Sequence, residues 1–255
     1  MKKIIYILTI VLLIVSLTTK ANAEEFSWYC KREKDHKAPS CPPEYTFIKE
    51  YSGYDRDIRH TDYSDKEKII YLTFDAGYEN GNVERTLDIL KNNNVKGAFF
   101  ILGNLIEKNP DLVKRMFDEG HLVCNHTYSH KNMSNASESE FTSELQRLES
   151  CCVEKIGLSP SKFYRPPEGR FSKKSLECAK KLGYKTVFWS FAYADWDNQK
   201  QPSTEKAKQK IIDNLHNGEI MLLHPTSETN CIILDDVIKH ALNEGFRFAL
   251  LTELE

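Results

Sequence analysis

The sequence predicts an α/β fold: a (β/α) barrel of seven or eight parallel strands, preceded by an N-terminal extension. Three observations predict it. From Lys68 onward, short apolar runs alternate with amphipathic stretches about seven times, the pattern of parallel strands joined by crossover helices. The length of 255 residues suits one barrel of roughly 200–250 residues. No Gly-x-Gly-x-x-Gly follows the first run, which leaves an open doubly wound sheet as the weaker alternative.

The elements follow in order. Lys2 and Lys3 precede an apolar run from Ile4 to Leu17, and "TTKANA" places Ala21 and Ala23 in the small-residue pattern of a cleavage site. Residues 1–23 are therefore expected to be a secretory signal peptide. The run is short for a span of ~20 residues, so no stable membrane insertion is expected after cleavage. Residues 24–66 are polar, aromatic and proline-spotted and are read as an extension packed on the core. Residues 67–255 are expected to form the main α/β domain. In it "KIIYLTFD" reads as a buried strand and 82–93 as a helix. "KGAFFIL" is a strand, and 109–119 a helix beginning at Pro110. "HLVCNH" is a strand and 137–156 a helix. "KFYRP" is a short strand and 172–182 a helix. "KTVFWS" is a strand and 203–216 a helix. "EIMLLH" is a strand, 231–244 a helix, and "RFALL" the last strand.

Composition narrows the function classes. Hydrophobic residues are 40% and charged residues 28%, an ordinary globular mixture. The net charge of −2 gives no ground for nucleic-acid binding, and the interspersed Lys and Glu read as a solvated surface. The chain is expected to be a monomer. Seven cysteines leave at least one unpaired within a monomer. Cys30 and Cys41 are the easiest pair to join, and the absence of C-x-x-C argues against a zinc ribbon.

The residues that end the strands carry the chemistry. The first strand ends in Asp75, the third in "NHTYSH" with His126 and His130, and the fourth in "YRPPEGR" with Arg165. The fifth leads through Trp189 into "YADWD" with Asp195 and Trp196, and the sixth ends in His224. In a parallel α/β barrel these ends converge on one face, where active sites are built. One polar strand end is unremarkable; five of them are not explained by helix capping.

The chain here resembles the polysaccharide deacetylases with the NodB homology domain, the family 4 carbohydrate esterases, over about residues 66–252. The matching motifs are "TFDAG", "HTYSH", "RPPEG", "ADW" and "LLH". "TFDAGYENG", "FYRPPEGRFS" and "VFWSFAYADW" look most similar to the muramic-acid deacetylases that form δ-lactam in spore cortex. The resemblance implies the distorted barrel, an amide hydrolase, and peptidoglycan glycan strands as the partner. It implies a secreted protein of the cell wall or spore envelope, used in sporulation.

The residues support the same chemistry in their own right. His126 and His130 are four apart, close enough to share one metal. Amide hydrolysis needs an activated water, an electrophile for the carbonyl oxygen and a proton for the leaving amine. A divalent ion supplies the electrophile and lowers the pKa of water toward ~7. Zinc is the first expectation, with cobalt, nickel and manganese as alternatives. Asp75 is then the base and His224 the acid. Asp195 holds His224 in its tautomer, and Arg165 pairs with Asp75 and keeps it ionised. The bland alternatives are a helix cap for Asp75 and a buried strand-end histidine for His224. Trp189, Trp196 and Tyr78 are assigned to the sugar groove, although core aromatics look the same in a sequence. Arg170 is assigned to the lactyl carboxylate of muramic acid, against the alternative of a plain surface arginine. The remaining histidines, His36, His60, His121, His216 and His240, are read as structural.

One position departs from the family. Most members carry a second, metal-ligating aspartate after the first, and here that residue is Ala76. The resemblance implies that the muramic-acid subgroup departs in the same way. The expected function is N-deacetylation of N-acetylmuramic acid. N-acetylglucosamine or chitin-like chains are the alternative substrate, and a glycan-binding pseudoenzyme is the alternative class.

Overall fold

Nine consecutive residues, Lys68–Ala76, form β3, the strand on which the sheet is built. The computed structural model describes residues 24–33, 36–53 and 67–254; the expected signal peptide and His60 lie outside the described residues. β3 pairs through residues 73–76 with β4 (Ala98–Ile101), through 70–74 with β9 (Glu219–Leu223), and through 68–70 with β10 (Phe246–Phe248). Beyond β4 the order continues through β5 (Leu122–Asn125), β6 (Ser161–Tyr164), β8 (Lys185–Val187) and β2 (Ser52–Gly53). Every pairing in this eight-stranded sheet is parallel. Past β8, Phe191 bridges Met221 of β9. The sheet therefore curls toward closure, as a distorted barrel.

Side-chain alternation along β3 sorts the core. Ile69 and Tyr71 join Ala98, Phe100, Cys124, Val187 and Ile220 in the barrel interior. Ile70, Leu72 and Phe74 join Phe99, Ile101 and Val123 under the helices. Asp75 falls in the alternation of Ile69 and Tyr71, so the strand's own period aims it inward at the barrel's end.

Seven helices cover the described sheet: α1 (Asn82–Asn92), α2 (Gly103–Lys108), α3 (Pro110–Asp118), α4 (Glu138–Ile156), α5 (Lys173–Lys181), α6 (Thr204–Ile212) and α7 (Glu228–Asn243). Serine hydroxyls at Ser137, Ser172, Ser203 and Ser227 cap four of them, satisfying amides that the first turn leaves free. Because Ser227 caps, α7 starts at Glu228, three residues before the periodic stretch begins. α2 is too short to show a period, and the sequence reading passes over it.

The extension reaches the active-site side of the barrel. β1 (Phe26–Ser27) pairs antiparallel with β7 (Arg170–Phe171). Trp28 stacks on Phe188 at 4.8 Å, and its Nε1 donates to Trp189 O at 2.9 Å. The expected Cys30–Cys41 bridge is not formed. Cys41 packs with the extension's aromatic cluster, whereas the Cys30 thiol is pushed up to about 11, by burial first, in a setting that includes the Arg32 and Glu219 charges.

Candidate active site

Asp75, His126, Arg165 and His224 each stand at or just past the C-terminal end of a barrel strand, β3, β5, β6 and β9 respectively. Arg165 is the hub. Its guanidinium is fully buried, and its Nη1 donates to Asp75 Oδ1 at 2.8 Å. Nη2 donates to Thr73 Oγ1 at 2.9 Å and to Phe188 O at 3.2 Å, while Nε donates to Val187 O at 3.2 Å. The cation also lies over the Phe100 ring, 4.1 Å from its centroid. A buried charge is tolerated only when paired and hydrogen-bonded in this way. Burial pushes the Asp75 carboxyl up, but the Arg165 charge, the largest opposing cause, outweighs it and holds Asp75 below the usual range. Asp75 is thus ionised at neutral pH, with Oδ1 on the arginine and Oδ2 facing His126 Nε2 at 3.5 Å.

His126 Nδ1 lies 2.8 Å from Arg165 O, and a carbonyl can only accept. The proton therefore sits on Nδ1 and the Nε2 lone pair is free. Burial, foremost, lowers this imidazole to about 4, so it is neutral at physiological pH. His130 meets it edge-on, with ring centroids 5.0 Å apart at 67°. Neutral imidazoles with a free lone pair are competent ligands for a divalent ion. The methyl of Ala76 offers none, and among the described residues no group of three or more His, Cys, Asp or Glu is arranged as a metal ligand set. The donors fit an ion held by two imidazoles, with solvent or substrate completing its shell.

His224 faces the same cleft. Its Nδ1 donates to Asp195 Oδ1 at 2.7 Å and its backbone N–H to Asp195 Oδ2 at 2.8 Å. That bond fixes the tautomer and leaves Nε2 toward the cleft. Burial alone would lower this histidine, but the hydrogen bond and charge of Asp195, with Asp75 behind, outweigh burial and raise it.

Asp75, His126, His130 and His224 line a cleft of about 700 Å³. Trp189 and Leu222 supply apolar wall, and Tyr78 and Trp196 stand at the mouth. Trp196 is 60% exposed, unlike a core aromatic. Asn198 Nδ2 donates to Tyr78 Oη at 2.6 Å. Trp189 packs tightly on Gly169, whose φ is +65°; a Cβ there would stand 2.7 Å from the indole.

Of the four residues assigned to substrate, Arg170 alone does not line the cleft. It opens β7 facing outward, while the next residue, Phe171, is buried. Its Nη1 pairs with Glu25 Oε1 at 2.7 Å and its Nε with Glu168 Oε2 at 2.9 Å. Two carboxylates pair with this half-exposed cation. His121 accepts from Gly97 N through Nδ1, and His216 is lodged between Ser190 Oγ and Asn214 O.

Sequence reasoning passed over Asn230 and Thr73. Asn230 Nδ2 donates to Asp195 Oδ2 at 2.6 Å. Its only signal was an amide on the buried face of a helix. Thr73 was visible as the polar member of the inward alternation Ile69, Tyr71, Thr73, Asp75.

Comparison with known proteins agrees with this geometry. The polysaccharide deacetylase family pattern matches residues 62–187. The peptidoglycan-N-acetylmuramic acid deacetylase PdaA of Bacillus subtilis is 36% identical over 232 residues, covering 91% of this chain and 86% of that one. The solved structure of that protein, described as a family 4 carbohydrate esterase, superposes with a TM-score of 0.84 and covers 91% of this chain and 97% of that one. A peptidoglycan-N-acetylglucosamine deacetylase of Bacillus cereus is 34% identical, covering 72% of this chain and 67% of that one.

Proposed function

The chain belongs to the polysaccharide deacetylase family, hydrolases of amide C–N bonds, and from that premise we propose that it is a secreted, metal-assisted deacetylase of N-acetylmuramic acid in peptidoglycan, leading to muramic δ-lactam in spore cortex. The observation that carries the chemistry is the meeting of two preset groups on one cleft: Asp75, ionised by Arg165, and His224, oriented by Asp195. The choice of muramic acid rests on the 36% identity to a deacetylase of that sugar over 91% of the chain.

A divalent ion on His126 and His130 would polarise the acetyl carbonyl and lower the pKa of water toward ~7. Asp75 is the base that takes the proton of the attacking water, and the Arg165 bond to Oδ1 leaves Oδ2 for that task. His224 delivers its Nε2 proton to the leaving amine, and Asp195 stabilises the imidazolium that precedes delivery. Trp189 and Leu222 offer apolar wall for the acetyl methyl. Tyr78 and Trp196 offer aromatic faces to the neighbouring sugar. The freed amine then stands beside the lactyl carboxylate on the same sugar, and their condensation with loss of water gives the lactam.

One observation favours the N-acetylglucosamine alternative: Arg170 is held by Glu25 and Glu168 and does not wait for a lactyl carboxylate. Ala76 is the feature that favours a pseudoenzyme, and the intact acid and base weigh against it. Mass spectrometry of muropeptides, before and after treatment and with and without added metal, separates the three. Loss of acetyl from muramic acid is the expected result; loss from glucosamine alone, or no loss, supports the other two readings respectively.

A further inference from the structure

The segment from His126 to His130 turns sharply, and two of its non-glycine residues stand in the left-handed region, Thr127 at φ 70° and His130 at φ 57°. Such conformations persist only where the surroundings over-determine them, most of all for a β-branched residue. The first half of the turn is visibly held. Asn125 Oδ1 accepts from Thr127 N at 2.9 Å, and Tyr128 O accepts from Gly103 N at 3.0 Å. The second half, which carries the exposed ring of His130, is held from α4. Glu144 accepts from Ser129 N at 3.0 Å and from Ser129 Oγ at 2.8 and 2.9 Å. The same carboxylate has Lys131 Nζ at 3.6 Å, so it grips the residues on both sides of His130. One turn further along α4, the Arg147 guanidinium covers the Tyr128 ring at 3.7 Å.

Glu144 is only 8% exposed. A carboxylate on the buried face of a helix is costly unless its partners recompense it, and its hydrogen-bond partner is the histidine loop. The consequence is sharpened by Ala76. With two imidazoles and no neighbouring aspartate, affinity depends heavily on how well the second imidazole is preorganised, since each unfixed ligand adds ordering entropy to binding.

We propose that Glu144 is a positioning residue that fixes His130 against His126 and thereby sets the affinity of the two-imidazole site for a divalent ion. This rests on the reading that His126 and His130 hold the metal.

Calorimetric titration of the metal-free full chain with zinc tests it, using the parent, Glu144→Ala, Glu144→Gln and Ser129→Ala. Outer-shell groups typically change metal affinity by about 10–100-fold. Glu144→Ala should weaken binding by about tenfold or more. Glu144→Gln, which keeps an oxygen acceptor for Ser129 N–H, should recover most of that loss, and Ser129→Ala, which keeps the backbone bond, should lose less than Glu144→Ala. A purely structural role would lower the melting temperature of the metal-free protein and leave the zinc affinity of the folded fraction unchanged. Should Glu144→Ala fail to fold, the titration of Glu144→Met, which fills the same space but offers Ser129 no acceptor, decides, with parental affinity overturning the proposal. Zinc binding by Glu144→Ala within twofold of the parent overturns the role of Glu144 alone. A parent that binds no zinc overturns the metal reading itself, and the proposal with it.

Discussion

The Asp195 carboxylate grips His224 twice, accepting from its ring Nδ1 at 2.7 Å and from its backbone N–H at 2.8 Å. One residue thereby fixes the ring's tautomer, its orientation and its position on the strand end.

The first prediction concerns pH. The His224 pKa is raised, because the Asp195 bond and charge overcome burial. The protonated acid should persist above the ordinary histidine value of ~6.5, and the alkaline limb of the rate profile should lie above it. Asp195→Asn removes the charge and should move that limb down in pH. The linked effect on stability has a definite sign. A raised folded pKa contributes stability that is fully present below the unfolded value and is lost as pH rises through the folded value. Unfolding free energies of the parent and His224→Gln should therefore diverge toward acid pH and converge above the folded pKa. Parallel curves would contradict the assignment.

Arg165 supplies the second. Its removal strands the buried Asp75 without a countercharge, which typically destabilises by about 3–5 kcal/mol. Urea unfolding of Arg165→Met should show a loss of that order. Asp75 is depressed in the folded parent, so its contribution is present above the unfolded value and lost as pH falls through the folded one. In Arg165→Met the acid-unfolding midpoint should move to higher pH. Asp75→Asn should lower turnover by roughly 10²–10⁴, the range for a general base, while leaving metal bound.

The third addresses Ala76. His126→Ala should abolish both metal occupancy and turnover. Ala76→Asp adds a charged ligand in a buried place and should tighten metal binding by a few kcal/mol at most, on the order expected where desolvation opposes the new bond. Without metal the same variant should melt lower than the parent, because Ala76 is fully buried. Elemental analysis and calorimetry read the first pair, and thermal melts read the last.

The fourth follows from Arg170 being held outside the cleft. Arg170→Ala should leave the preference between muramic-acid and glucosamine substrates unchanged. It should lower thermal stability by about 1 kcal/mol or less, the usual range for exposed ion pairs. A preference that shifts toward glucosamine in this variant would restore Arg170 to the substrate.

The strand ends were legible because one strand's periodicity both builds the barrel and aims its last polar residue inward. Asp75, His126, Arg165 and His224 interrupt apolar runs at the same place in each repeat, so spacing alone gathers them on one face. The ion pairs of Arg170 were not legible. Its partner Glu25 lies 145 residues away, and an outward-facing arginine looks the same in sequence whether it meets substrate or a distant carboxylate. Asn230 and Glu144 were missed for a related reason. Each is a polar residue on the buried side of a helix, and only the tertiary fold shows what its side chain reaches. The Cys30–Cys41 pairing was inferred from proximity in sequence, which does not fix where the two thiols lie in space.

The most direct measurement of the central claim is acetate release from three substrates at matched acetyl concentration: peptidoglycan stripped of stem peptides, intact peptidoglycan, and chitin oligomers. The account predicts faster release from both peptidoglycan substrates than from chitin oligomers, with muramic acid as the deacetylated sugar by mass spectrometry and with release abolished in His224→Ala. Equal or faster release from chitin oligomers would contradict it and establish N-acetylglucosamine as the substrate.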